Sequence, residues 1–165
     1  MTLNVFPSLY LLADTVLSVT IRDLRVPELV ELGTNNNIEL DCDYDYEDRE
    51  KLQLDIKWYF NNSPSPFYQW VPGEMDKPQI IGEQFKGHLN LGHVVHRDHF
   101  KRHRALMIVN PTLELSGIYT CKVSTFLDEE IRQKRMTIYC KLYRKCFCCK
   151  ELKTFLCLFF KSGLI

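Results

Sequence analysis

From Val19 onward apolar and polar residues alternate in short runs, the pattern of strands that bury one face. No stripe with helical spacing reaches a useful length, and no internal repeat is present. Val19-Thr20-Ile21 and Val26-Pro27-Glu28-Leu29-Val30 predict a first edge strand split by a proline, which an edge tolerates. Gly33 with Asn35-Asn36-Asn37 predicts a turn. Ile38, Leu40 and Cys42 alternate inward on the next strand, and the DYDYEDREK run that follows reads as a solvated acidic loop. Leu54, Ile56 and Trp58 alternate inward on a third strand, leaving Asp55, Lys57 and Tyr59 on its other face. The Asn-, Ser- and Pro-rich 61–66 segment predicts a hairpin turn into a strand from Phe67 to Val71. Ile80-Ile81 to Phe85 is expected as a further edge strand and Val94-Val95 as part of another. Leu106 and Ile108 face inward on the next, and Gly117 to Ser124 and Ile131 to Tyr139 complete the set.

Within this pattern a small framework specifies the architecture. Cys42 and Cys121 are the only cysteines before residue 140. Trp58 follows the first, and Gly117-Ile118-Tyr119-Thr120-Cys121 ends on the second. This is the pattern of an all-β, immunoglobulin-like sandwich. A disulfide between Cys42 and Cys121 joins the facing sheets, the Trp58 indole packs on it, and the Tyr119 hydroxyl ties down the chain entering the second cysteine's strand. A pair of buried free thiols is the alternative. The Phe67–Val71 strand and the long interval between the cysteines favour the variable type over the shorter constant type.

Composition adjusts this picture at the ends. A chain of 165 residues holds one sandwich with room left over. Lys+Arg and Asp+Glu balance at 21 each, so no global field argues for nucleic acid. The balance conceals an asymmetry: after Tyr139 there are six Lys/Arg against one acid, and before it 15 against 20. Residues 19–139 are therefore read as the sandwich, flanked by irregular extensions. Residues 1–18 resemble a secretory leader in their apolar Val5–Leu12 core and Val16-x-Ser18. No Lys or Arg precedes that core, and Pro7 and Asp14 interrupt it. A disordered or strand-forming N-terminus is the alternative. The basic, cysteine-rich 140–165 tail is too short in its apolar run to span a bilayer. It reads as a non-native exon end or gene-model artefact, or as a peripheral membrane segment, with a zinc knuckle as a third reading.

At Tyr44-Asp45-Tyr46-Glu47, Ile56-Lys57-Trp58-Tyr59, Phe67-Tyr68-Gln69-Trp70-Val71-Pro72 and Gly117-Ile118-Tyr119-Thr120-Cys121-Lys122-Val123-Ser124 the chain resembles the first domain of the beaten-path family, insect immunoglobulin-superfamily proteins of axon guidance. The resemblance covers roughly residues 19–139. It implies an extracellular module, secreted or at the plasma-membrane surface, that binds sidestep-like immunoglobulin proteins through the sheet carrying the C, C′, F and G strands. The chain departs from the family in Lys122, where a Glu is usual, and in Gln69, where an Arg is usual. Both departures fall on or near the expected face. Leu115 replaces the acid that many variable-type domains place four residues before the tyrosine, so their buried Arg–Asp pair is not expected.

The candidate partner-binding residues are Lys57, Tyr59, Tyr68, Trp70 and Lys122. Tyr68 and Trp70 are placed on the outward face beside Lys57 and Tyr59, with the opposite parity of that strand as the alternative. Asn61-Asn62-Ser63 is a glycosylation sequon in an exposed turn, followed by Pro64, which weakens acceptors. His88, His93, His96, His99 and His103 suggest a metal cluster at first sight. On an extended strand, however, residues three apart point to opposite faces, so His93, His96 and His99 do not converge. The acidic run lacks calcium-loop spacing and its turn glycine. No Ser or Cys sits with a base and an acid, so neither an enzyme nor a cofactor is expected. Two competing readings stand beside the guidance module: a soluble immune-type domain that binds ligand through its loops, and a truncated, non-functional paralogue.

Overall fold

The computed structural model describes residues 19–33 and 37–140, so the readings of 1–18 and 141–165 lie outside the described residues. Nine strands are described: β1 (Thr20–Arg25), β2 (Leu29–Glu31), β3 (Asn37–Asp45), β4 (Asp55–Phe60), β5 (Tyr68–Trp70), β6 (Gln79–Ile80), β7 (Ala105–Val109), β8 (Gly117–Ser124) and β9 (Glu129–Tyr139). They form a three-stranded sheet in the order β1-β3-β7 and a six-stranded sheet in the order β2-β9-β8-β4-β5-β6. This is an immunoglobulin-like sandwich of the variable type, because β5 and β6 extend the sheet that holds β4, β8 and β9.

The proline-split edge becomes a change of sheet. β1 pairs antiparallel with β3, and after Pro27 the chain crosses so that β2 runs parallel to β9. Between the sheets Cys42 is bonded to Cys121 over a sequence separation of 79. Leu40, Trp58, Tyr119 and Val123 are buried around it. The Tyr119 hydroxyl donates to the Leu115 carbonyl at 2.7 Å, and burial pushes its pKa up. Phe85 stacks on Phe67 at 3.8 Å and meets Phe60 edge-on at 5.4 Å, closing one end of the core. Gly117 is required there: a Cβ would run into the Phe60 ring and Asn61 Oδ1.

Several expectations are corrected, and the edge strand expected from Ile80 to Phe85 is only Gln79–Ile80, followed by a 3-10 turn at Glu83–Phe85. Val94 and Val95 form no strand; next to β7 the chain makes a single bridge, Leu89 to Ile108, and then a looped segment. Backbone bonds from Asn90 N to Met107 O at 2.9 Å and from Val109 N to His88 O at 2.8 Å flank that bridge, and side-chain contacts hold the rest of the segment. His88 Nδ1 meets Asn110 O at 3.0 Å, His93 Nε2 meets Glu39 Oε2 at 2.7 Å, and His99 Nε2 meets Pro72 O at 2.9 Å. His103 Nδ1 donates to His93 O at 2.8 Å.

Nor is the acidic run a solvated loop from its start. β3 continues to Asp45, so Leu40, Cys42 and Tyr44 face inward while Asp41, Asp43 and Asp45 line the other side. There Arg104 bridges Asp41 and Asp43, Arg25 pairs with Asp41, and Arg22 and Lys101 pair with Asp45. Asp41 is buried. The domain thus has a buried Arg–Asp pair after all, built from β3 and the residue before β7.

Candidate functional site

The outward face of the six-stranded sheet follows from register, since directly paired residues share a face. Trp58 pairs with Cys121 and Ile56 with Val123, all inward, so Asp55, Lys57 and Tyr59 of β4 face out with Ser124, Lys122 and Thr120 of β8. On β9 the same rows continue to Glu129, Ile131 and Gln133, and Ile118 faces Arg135. Toward the other edge Lys57 pairs with Gln69, and Gln69 with Gln79.

The central row sets two ammonium groups side by side, Lys57 directly opposite Lys122. Like charges in this position repel, and each is balanced by its own carboxylate. Lys57 Nζ lies 2.5 Å from Asp55 Oδ2, and Lys122 pairs with Glu129. The hydrogen bond to Glu129 holds the Lys122 ammonium above its usual pKa, against the opposing effect of desolvation, and the neighbouring Glu129 and Asp55 carboxylates add to the rise. Gln69 Nε2 donates to both Asp55 oxygens, at 3.0 and 3.2 Å, and Gln79 Nε2 donates to Gln69 Oε1 at 3.3 Å. The result is a polar plate with half-buried Tyr59 among its charges and half-exposed Ile131 at its β9 margin.

Lys57, Tyr59 and Lys122 are therefore brought together, and Tyr68 and Trp70 are not. Tyr68 pairs with Trp58 and Trp70 with Ile56, so both aromatic rings point into the sandwich, at 2% and 0% exposure. This corrects their outward placement. The Tyr68 hydroxyl donates to His103 O at 2.6 Å, and the Trp70 indole donates to Met75 O at 3.2 Å while meeting the His103 ring edge-on. The β5 residue that does face out is Gln69.

Asn61 and Asn62 both adopt left-handed backbone conformations in the turn after β4. Asn61 Oδ1 accepts from Ile118 N at 2.9 Å, which leaves Nδ2, the atom a glycan would join, without a hydrogen bond among the described residues.

A second surface escaped the sequence reading. The β8–β9 turn carries Phe126 and Leu127 at 87% and 64% exposure, and Leu52 of the β3–β4 connection is 66% exposed. Thr125 Oγ1 donates to Glu50 Oε1 at 3.0 Å, which ties the two connections together at one end of the sandwich. The only available signal was a Phe-Leu pair between strands, where turn residues are normally polar.

Among the described residues no three His, Cys, Asp or Glu side chains converge on a metal-sized site, and no helix is long and apolar enough to cross a membrane.

No family model matches the chain, and no curated protein matches it. Among solved structures it is similar to one of murine CRIg, with 20% identity and a TM-score of 0.48, over 72% of this chain and 97% of that one. None of these comparisons points to the beaten-path family.

Proposed function

We propose that the chain is a recognition module, secreted or displayed at the cell surface, that binds another immunoglobulin-superfamily protein through the outward face of β4, β5, β8 and β9. The observation that carries this reading is the Lys57–Lys122 pair beside half-buried Tyr59 on the outward face of the six-stranded sheet. Tyrosine flanked by charge is the composition of an interface anchor, and the surrounding ion pairs supply complementarity and register. The Cys42–Cys121 bond supports an oxidising, extracellular setting. The Tyr44–Glu47, Ile56–Tyr59 and Phe67–Pro72 motifs narrow the reading to a beaten-path-like domain, heterophilic adhesion in axon guidance and a sidestep-like partner. Binding of this kind is non-enzymatic docking of two sheets and needs no cofactor.

The test is a screen of the full chain against a panel of insect immunoglobulin ectodomains, followed by Lys122→Glu. Reversal of charge beside Lys57 is expected to abolish binding to the partner found, with the cooperative unfolding transition retained. Binding that survives Lys122→Glu would place the contact elsewhere. The exposed Leu52, Phe126 and Leu127 favour one second reading, capture of a ligand at the loop end of the sandwich.

A further inference from the structure

Between His96 and Arg104 the chain reads HRDHFKRHR, with Asp98 its only acid. Part of this charge is spent within the fold. Lys101 Nζ donates to Asp45 at 2.7 Å, Arg104 is taken by Asp41 and Asp43, and Asp98 accepts from Tyr46 Oη at 2.9 Å and Phe100 N at 3.0 Å. What remains is gathered by the backbone. Val95 N donates to Arg102 O at 3.0 Å, closing residues 95–102 into a loop that returns Arg102 beside Val95. Val94, Val95, His96, Arg97 and Arg102 then line one open concavity.

Among the described residues neither Arg97 nor Arg102 has an ion-pair partner. His96 accepts the Asp98 N–H on Nδ1 at 3.0 Å, so its own proton sits on Nε2 and is free to donate. Burial lowers the His103 pKa, and Arg102, His93 and Lys77 press it lower against the hydrogen bond to His93 O.

We propose that this loop binds a sulfated polysaccharide, with Arg97 and Arg102 as the principal sulfate contacts and His96 as an additional donor. Guanidinium forks match the oxygens of sulfate, and a flexible chain with repeated sulfates can engage both arginines at once. A nucleic acid fits less well, because Phe100 is packed with Tyr46 and His99 rather than offered for base stacking. A membrane surface fits less well because Val94 is the only exposed large apolar side chain in the segment. The loop is anchored to β3 and Pro72, not to the outward residues of β4 or β8, so this site is independent of the partner face proposed above.

The test is arginine footprinting of the full chain with phenylglyoxal, with and without a heparin oligosaccharide, read by peptide mass spectrometry. Heparin is expected to protect Arg97 and Arg102 and to leave Arg135 reactive, and fully desulfated heparin to protect neither. In a direct binding assay at fixed ionic strength, the Arg97→Ala/Arg102→Ala variant should bind heparin about tenfold more weakly. The charge-matched Lys134→Ala/Arg135→Ala variant should change affinity by about twofold or less. The loop closure uses backbone atoms only, so the first variant is expected to keep the wild-type melting temperature. The proposal is overturned if Arg97 and Arg102 react equally with and without heparin, or if the two variants weaken binding alike. Protection by phosphatidylserine vesicles but not by heparin overturns it in favour of a membrane. The wild-type footprint decides the matter even if a variant fails to fold.

Discussion

Trp70→Ala separates a core residue from a surface anchor. Trp70 is fully buried on β5 opposite Ile56, its indole N–H donates to Met75 O at 3.2 Å, and its ring meets that of His103 at 5.3 Å between centroids. Truncating a buried Trp costs about 3–5 kcal/mol, the spread reflecting how far the cavity collapses. The orphaned Met75 carbonyl and the lost edge-on contact place this site toward the upper half of that range. Against a net stability of about 5–15 kcal/mol, such a loss removes about a quarter or more of the total. The assay is equilibrium urea unfolding followed by circular dichroism, where the midpoint should fall with the slope unchanged. Thermal unfolding should fall on the order of 15 °C. A destabilisation below about 1 kcal/mol, in the range of surface substitutions, would mean that the indole does not lie between the sheets.

Other perturbations have equally direct outcomes. Replacing Cys42 and Cys121 by Ala and Val should cost about 4.5 kcal/mol on the chain-entropy relation for a loop of this length, read by the same urea titration. Arg104→Ala leaves buried Asp41 to Arg25 alone and should cost about 3 kcal/mol, whereas Arg104→Met with Asp41→Leu should recover most of that loss. Burial holds the His103 pKa below its ordinary 6.5, so the folded state favours the neutral ring. Its contribution is then complete above pH 6.5 and is lost as pH falls through the lower folded value, so stability of the wild type should drop more on acidification than that of His103→Gln.

The framework was legible because each of its parts has one physical solution. Two isolated cysteines, an indole between them and a tyrosine two residues before the second fit a sandwich with a bridged core, and Cys42, Trp58, Tyr119 and Cys121 are buried together. The face of β4 was also legible, because Leu54, Ile56 and Trp58 left no doubt about parity. β5 was not. It has only three residues, and aromatic side chains at Phe67, Tyr68 and Trp70 break the alternation. Its parity depends on how the 61–66 connection sets the register with β4, which no local propensity encodes. The acidic run misled for a related reason. Aspartates on β3 look like a loop until the arginines that neutralise them are found, and Arg104 lies 61 residues from Asp43 along the chain. Such long-range pairing is invisible to a window of neighbouring residues. The exposed Phe126-Leu127 tip carried no periodic signal at all.

Recognition is proposed on the sheet face rather than at the loop end. The most direct measurement is a side-by-side titration of one captured immunoglobulin partner with the wild type, Tyr59→Ala and Phe126→Ser/Leu127→Ser, by surface plasmon resonance. Tyr59→Ala is expected to weaken binding about thirtyfold, the loss of an interface anchor. The tip variant should remain close to wild type. The reverse order, with Tyr59→Ala silent and the tip variant unable to bind, would contradict the account and move the site to the β3–β4 and β8–β9 connections.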